Sequence, residues 1–300
     1  MASEVVEVTG RSQLFEASPR SESYLTQSLR RLLRNRGSVL GGLFLLALVV
    51  VSIFAPLIAP YDPIEIYPTE ARQAPSPGHL AGTDKFGRDT MSRIIFGTRI
   101  SLRVGLIGVA IALSIGGVIG LYAGYHGGRF DVIVCMLVNI MLAFPGILLA
   151  LSIVAVLGPG LENVMVAVGI SSIPQFLRVV RSSVLSAKEN VYIEAAKVSG
   201  CSNRRIIFRH ILPNVVAPVI VLSTLWVGTA ILIGASVSFL GLGVQPPTPE
   251  WGVMVSEGRN YLNSMWWLST FPGLAIVLTV LAMNLLGDGL RDALDPRLKE

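Results

Sequence analysis

The chain has 300 residues, 52% of them apolar and 14% charged, with a mean hydropathy of +0.65 and a net charge of +5. An average soluble domain carries about 25% charged residues, so this composition excludes an ordinary water-soluble enzyme or binding module and points to a chain that crosses a bilayer several times. Two cysteines give no disulfide framework, and their places, Cys135 in an apolar run and Cys201 in a polar loop, keep them apart.

Residues 1–24 are polar, rich in Ser and Glu, and are expected to form a disordered cytoplasmic tail. Arg30, Arg31, Arg34 and Arg36 follow, directly before the first apolar run, where a basic cluster meets anionic headgroups. That run, 38–60, is too long for a signal-peptide core and lacks a small-residue cleavage site, so it is expected to remain as a membrane anchor.

A span needs about 20 apolar residues. By that measure 38–60, 104–125, 132–158 and a run from Tyr261 or Met265 to Gly287 are clear spans. The uncharged stretch after Pro213 supplies a fifth, at about 215–240, followed by an ordered outer segment with Pro246, Pro247 and Pro249. The weakest is 163–177, with Pro174 near its end, and it reaches full length if Arg178 and Arg181 snorkel from its last turn. The predicted fold class is therefore all-α, a polytopic membrane protein with six transmembrane helices.

Between the first and second spans, Pro60, Pro63, Pro68, Pro75 and Pro77 predict a mostly extended outer segment. In its second half, HLAGTDKFGRDTMSRIIFGTRISL, Asp84, Arg88 and Asp89 are suited to capping and pairing in a surface turn. Gly116, Gly117, Gly120 and Gly124, and later Gly228, Gly234, Ala235 and Ser236, let helix backbones approach closely. Pro145 and Pro272 either kink their helices or mark a boundary near the membrane surface. Asn139, Thr229 and Asn284 face either a path or a neighbouring helix.

The longest polar interruption of the second half is 178–214, with seven of the chain's 24 Lys and Arg. The larger share of basic residues falls on this loop and on the segments sharing its side, which predicts that the loop and both termini are cytoplasmic. Within it stand Glu194, Ala195 and Ala196, then Gly200, then Leu212 and Pro213. Small, strong helix formers let a short helix sit close against another surface. Gly200 then permits a sharp exit in left-handed geometry.

This order resembles the "EAA" loop of binding-protein-dependent ABC importer permeases, which docks on the ATPase. His210 stands where that pattern places isoleucine, with Ile211 beside it. The outer string around Gly-Thr-Asp and Gly-Arg-Asp, together with FLGLGVQPPTPEWG and NLLGDGLRDALDPRLKE, resembles the "C" permeases for dipeptides and oligopeptides. The resemblance implies a type I ABC importer permease fold in a bacterial inner membrane. It also implies a second homologous permease, two ATP-binding subunits and an external substrate-binding protein as partners. Dipeptides, longer peptides, glutathione and nickel chelates are all carried by proteins of this pattern. The division implied is a tail at 1–24, a first helix with the start of the outer loop at 25–78, an outer segment at 79–98, a transmembrane domain at 99–288 containing the coupling loop 178–214, and a cytoplasmic end at 289–300. Asp288, Arg291, Asp292 and Asp295 are expected to be surface or partner-facing groups of that end.

No G-x-x-x-x-G-K-[ST] loop is present, so ATP hydrolysis is expected in partner subunits and the chain is not expected to be an enzyme. No ionisable residue falls in the middle of a predicted span, which argues against an ion-coupled carrier. Neither paired His nor G-x-S-x-G suggests a membrane hydrolase. No nucleic acid, cofactor or metal is expected.

Overall fold

The computed structural model describes residues 24–294. The predicted disorder of 1–23 and the placement of Asp295 and the residues after it lie outside the described residues. The described residues hold eleven α-helices, α1 Tyr24–Arg34, α2 Arg36–Ile58, α3 Thr90–His126, α4 Gly128–Leu142, α5 Gly146–Leu157, α6 Leu161–Lys188, α7 Val191–Val198, α8 Asn203–Arg205, α9 Leu212–Phe239, α10 Trp251–Gly258 and α11 Trp267–Leu294. Among the described residues there is no strand, only an isolated bridge between Thr83 and Asp89.

Among the described residues five helices, α2, α3, α6, α9 as extended back to Asn203, and α11, are long and apolar enough to cross a membrane. The sixth predicted span is two helices, α4 and α5, bent by 92° across Ala143, Phe144 and Pro145. Pro145 starts α5 with φ −54 and ψ 133, and proline cannot continue the ladder of α4, so the break has a local cause. The pair still passes from one end of the bundle to the other. At one end Lys188 Nζ donates to the Tyr125 carbonyl at 2.7 Å, next to the start of α4, and at the other Gly160 N donates to Gly243 O at 3.1 Å, just after α5. The bent pair therefore serves as one broken span.

The six spans alternate between a loop end, where 189–211 lies, and a far end. Ser38 Oγ donates to Leu285 O at 3.2 Å, which puts the start of α2 beside the end of α11. Both ends of the described chain thus share the loop end.

The central contact is α3 against α6. A Cβ built at Gly116 would stand 2.8 Å from Ile173 O, at Gly120 2.7 Å from Leu177 O and at Gly124 3.0 Å from Arg181 O. This four-residue stripe brings the two backbones together, as its spacing predicts. Gly117, off the stripe, meets only its own helix's Leu113. Around the pair, Val104, Val168, Phe176, Ile231 and Val237 form the main core, shared by α3, α6 and α9.

Two predicted limits change. The second span begins at Thr90, not near Val104, because Arg93, Arg99 and Arg103 ride within the helix. Arg99 is consumed by a neighbour: Pro56 leaves the Ser52 carbonyl without its helical donor, Phe54 falls out of helical geometry, and Arg99 Nε donates to Ser52 O while Nη2 donates to Ile53 O at 2.8 Å. The weak fourth span is 28 residues long, ending at Lys188, so 178–188 belongs to α6 and the polar loop itself is 189–211.

At the far end, the Asp84–Asp89 turn pairs and caps as expected, but it is buried and not on the surface. Asp84 accepts from Phe86 N and Arg88 N, Arg88 Nε donates to Asp84 Oδ2 at 2.5 Å, and Asp89 caps α3 by accepting from Ser92 N at 2.7 Å. Arg88 and Arg93, both almost wholly enclosed, converge on Glu257 of α10, Arg93 Nη2 at 2.9 Å. Trp251 is fully buried and donates to Ile94 O at 3.1 Å, and Trp267 donates to Thr83 O at 3.2 Å. Glu250 caps α10 through Gly252 N and Val253 N, both at 2.9 Å, and its burial raises the pKa of its carboxyl above the ordinary range.

Candidate functional site

The loop between α6 and α9 is a small platform. Lys188 and Glu189 end α6, and Asn190 Nδ2 donates to the Ser186 and Ala187 carbonyls at 3.2 and 3.0 Å, which closes that helix end. The eight residues of α7 follow. Ser199 and Gly200 N–H groups then bond back to Ala195 and Lys197, and Gly200 takes φ +78, the left-handed exit expected of it.

α7 has one inward side. Ile193 is fully buried and packs with Ile206, Ile211, Tyr125, Val184 and Val215, so the loop is seated on the ends of α3, α6 and α9. Tyr125 Oη donates to Asn203 Oδ1 at 2.8 Å, and Asn214 Nδ2 donates to Tyr192 Oη at 3.1 Å and to His210 O at 2.7 Å. These anchors fasten both sides of the loop to three long helices at once.

The outward side is bare. Glu194, Ala195 and Gly200 are exposed, Ala196 is half-buried against the Ile193 cluster, and no side chain covers Gly200 within 4 Å. Around them Val191, Tyr192, Phe208 and, at 91% exposure, Val198 present apolar surface beside Lys197, Arg204, Arg205 and Arg209. Leu212 and Pro213 open α9, with Leu212 half-buried and Pro213 exposed. Because helix continues back through 206–211, Pro213 removes a donor from an unbroken helix, directly after the π turn.

The departure at His210 has a geometric account. Residues Ile206–Ile211 form a π-helical turn, with Leu212 N reaching the Ile207 carbonyl. A π turn takes one residue more than an α turn. Ile211 therefore points inward and is fully buried, while His210 stays half-buried beside it.

Sequence reasoning missed the seats of this platform, Tyr125, Lys188, Ile193, Ile206 and Ile211. Only the run of apolar residues among the loop's arginines hinted at the last two. It also left Arg178 and Arg181 as snorkelling groups, whereas both reach sideways to α4. Arg181 pairs with Asp131 at 2.5 and 2.6 Å, and Arg178 Nη2 donates to Asn139 Oδ1 at 3.4 Å. Of the other polar candidates, Thr229 is half-buried in α9 and Asn284 is exposed on α11, away from this pair. Asp288, Arg291 and Asp292 are exposed at the end of α11. Both cysteines are free, and among the described residues no group of three His, Cys, Asp or Glu side chains is placed to hold a metal.

Residues 116–300 match the family described as the binding-protein-dependent transport system inner membrane component, and 23–75 match the N-terminal transmembrane domain of oligopeptide transport permease C. The dipeptide transport system permease protein of Alkalihalophilus pseudofirmus is 48% identical over 91% of this chain and 90% of its own length. The di/tripeptide transport system permease protein of Pseudomonas aeruginosa is 46% identical, covering 88% and 89%. The glutathione transport system permease protein of Pectobacterium atrosepticum is 48% identical, covering 90% of each chain.

Proposed function

The chain belongs to the family of binding-protein-dependent transport system inner membrane components, and from that premise we propose that it is one of two permease subunits that together enclose the path of an ATP-driven peptide importer. A second, homologous permease forms the other half, two ATP-binding subunits dock beneath, and an external binding protein delivers the peptide. The loop end and both termini face the cytoplasm of a bacterial inner membrane. Glutathione, the cargo named for one relative, is itself a small peptide and falls within the same class.

One observation carries the coupling part of this reading: α7 is seated by Ile193 on three long helices yet bare on its outer side. A small-residue surface with an apolar and basic rim suits a protein partner, and the shared seat means that a push on α7 moves α3, α6 and α9 together. Glu194, Ala195, Ala196, Gly200, Leu212 and Pro213 form this coupling element. ATP binding draws the ATPases together, α7 transmits that motion, and the path opens alternately to each side.

The test is substitution at Ala195. Ala195→Glu, at an exposed helical position of the docking surface, is expected to leave the protein inserted and folded, to release the ATPase during copurification and to cut peptide uptake about tenfold or more. Normal uptake with a retained ATPase would remove the coupling role. Uptake driven by an imposed proton or sodium gradient without ATP would remove the importer reading itself.

A further inference from the structure

The inner half of α6 carries a polar face. Arg178, Ser182 and Ser186 recur every fourth residue along the helix, Asn190 follows just past its end, and all four are exposed, while Val180, Val184 and Ala187 on the opposite side are buried. The periodicity puts the three helical residues on one side of α6. Two open grooves flank this stripe. One, of about 610 Å³, lies along α4 and is lined by Asp131, Cys135, Asn139 and Arg181. The other, of about 510 Å³, runs toward α9 and is lined by Ser183, Ser186, Asn190, Asn214 and Pro218.

Arg178 stands ten residues before the end of α6, about 15 Å of helix rise. Its guanidinium turns toward Asn139, eleven residues into α4, rather than down toward the helix end. A cation at this end of a span either snorkels toward the surface or faces a water-filled cavity or a partner, and the sideways reach to Asn139 fits the second. Arg181 beside it is already neutralised by Asp131 through two hydrogen bonds. Arg178 has one neutral partner at 3.4 Å, so the stripe keeps a net positive charge at its head.

We propose that the exposed stripe of α6, with Arg178 at its head and the α4 groove beside it, lines the inner half of the transport path and that Arg178 receives the terminal carboxylate of the passing peptide. This rests on the peptide-importer reading above. A planar guanidinium donates two parallel hydrogen bonds to a carboxylate, the group that every unmodified peptide carries at one end. The serines below offer hydroxyls that donate or accept without holding the cargo tightly.

The test uses the full complex, both permeases with ATPases, in inside-out vesicles, with labelling at position 182 read by peptide mass spectrometry so that Cys135 and Cys201 stay in place. There Ser182→Cys is expected to react with a small charged thiol reagent applied to the inner face. A dipeptide with a free carboxylate should slow that reaction about tenfold, a C-amidated dipeptide should leave it within twofold, and Arg178→Gln should abolish the protection. Arg178→Lys should restore part of it.

An unreactive Ser182→Cys would mean that the stripe faces lipid or a partner helix and would overturn the proposal. Equal protection by both dipeptides, or protection that survives Arg178→Gln, would overturn the carboxylate assignment. Failure of the unsubstituted complex to take up any peptide would instead strike the parent reading, so the two failures are told apart.

Discussion

The two ends of the bundle are built on opposite plans. At the far end, Asp84, Arg88, Arg93 and Glu257 are enclosed together, Trp251 and Trp267 cross from the α10–α11 side to the α3 side, and the segment before α3 is pinned along its length. At the loop end, 189–211 rests on Ile193, Ile206 and Ile211 and leaves its charges in water. Enclosed ions demand fixed geometry, because a displaced partner leaves a charge uncompensated. A seat of three apolar side chains makes no such demand. The far end is thus a clamp that holds the spans in register, and the loop end, on the coupling role proposed above, is the handle.

The largest expected effect breaks the clamp. Glu257→Ala leaves Arg88 and Arg93 with Asp84 alone, and Arg93 Nη1, already without a hydrogen bond, has its nearest carboxylate oxygen there at 3.9 Å. The expected loss is about 3–5 kcal/mol of stability, seen as a large fall in the thermal midpoint in detergent and reduced accumulation in membranes. A midpoint within a degree or two of the parent would show that the ion cluster does not lock this end. It would also erase the contrast with the loop.

How far this contrast is legible in the chain depends on where each charge finds its partner. α2 and α9 are plain from hydropathy, because their windows are apolar and mostly turned outward. α6 is weak because its window is the most buried of the five long helices and uses serines where an outward-facing helix would use leucines. The early start of α3 is hidden because Arg93 and Arg99 resemble loop charges. Their partners, Glu257 and the carbonyls beside Pro56, are 164 and 46 or more residues away. In the loop, the short helix and the Gly200 exit follow from local propensity. The π turn that brings Ile211 inward does not, since it is set by packing against Tyr125 and Val184. The bend between α4 and α5 was foreshadowed by Pro145, but its 92° was not.

A smaller effect sharpens the contrast at the other end. Ile193→Ala removes the only buried side chain of α7, at a cost of about 2 kcal/mol that is local to the loop. The thermal midpoint should hardly move, since the clamp is untouched. Amide exchange and protease cleavage within 189–211 should rise, and ATP-coupled uptake should fall several-fold. A fall in the global midpoint as large as that of Glu257→Ala would mean that the loop is as much a part of the locked core as the far end.

The smallest effect separates the two plans by pH. Glu250 is buried at the start of α10, and although two backbone N–H groups favour its charged form, burial dominates and raises its pKa. A carboxyl with a raised folded pKa binds its proton more tightly in the folded chain than in the unfolded one. Its contribution is therefore most favourable below the unfolded value, about 4.3, and is lost as pH rises through the folded value. Above that value the loss is complete and the curve flattens. Glu250→Gln cannot ionise, so over the same range its midpoint should lack this decline, and the gap between parent and variant should close or reverse as pH rises. Because Glu250 sits in the clamp and contacts nothing in 189–211, protease cleavage of the loop should show no matching difference between the two proteins. A parent curve that rose with pH relative to the variant would mean that the N–H donors outweigh burial at this cap. A matching change in loop cleavage would mean that the two ends share one cooperative unit.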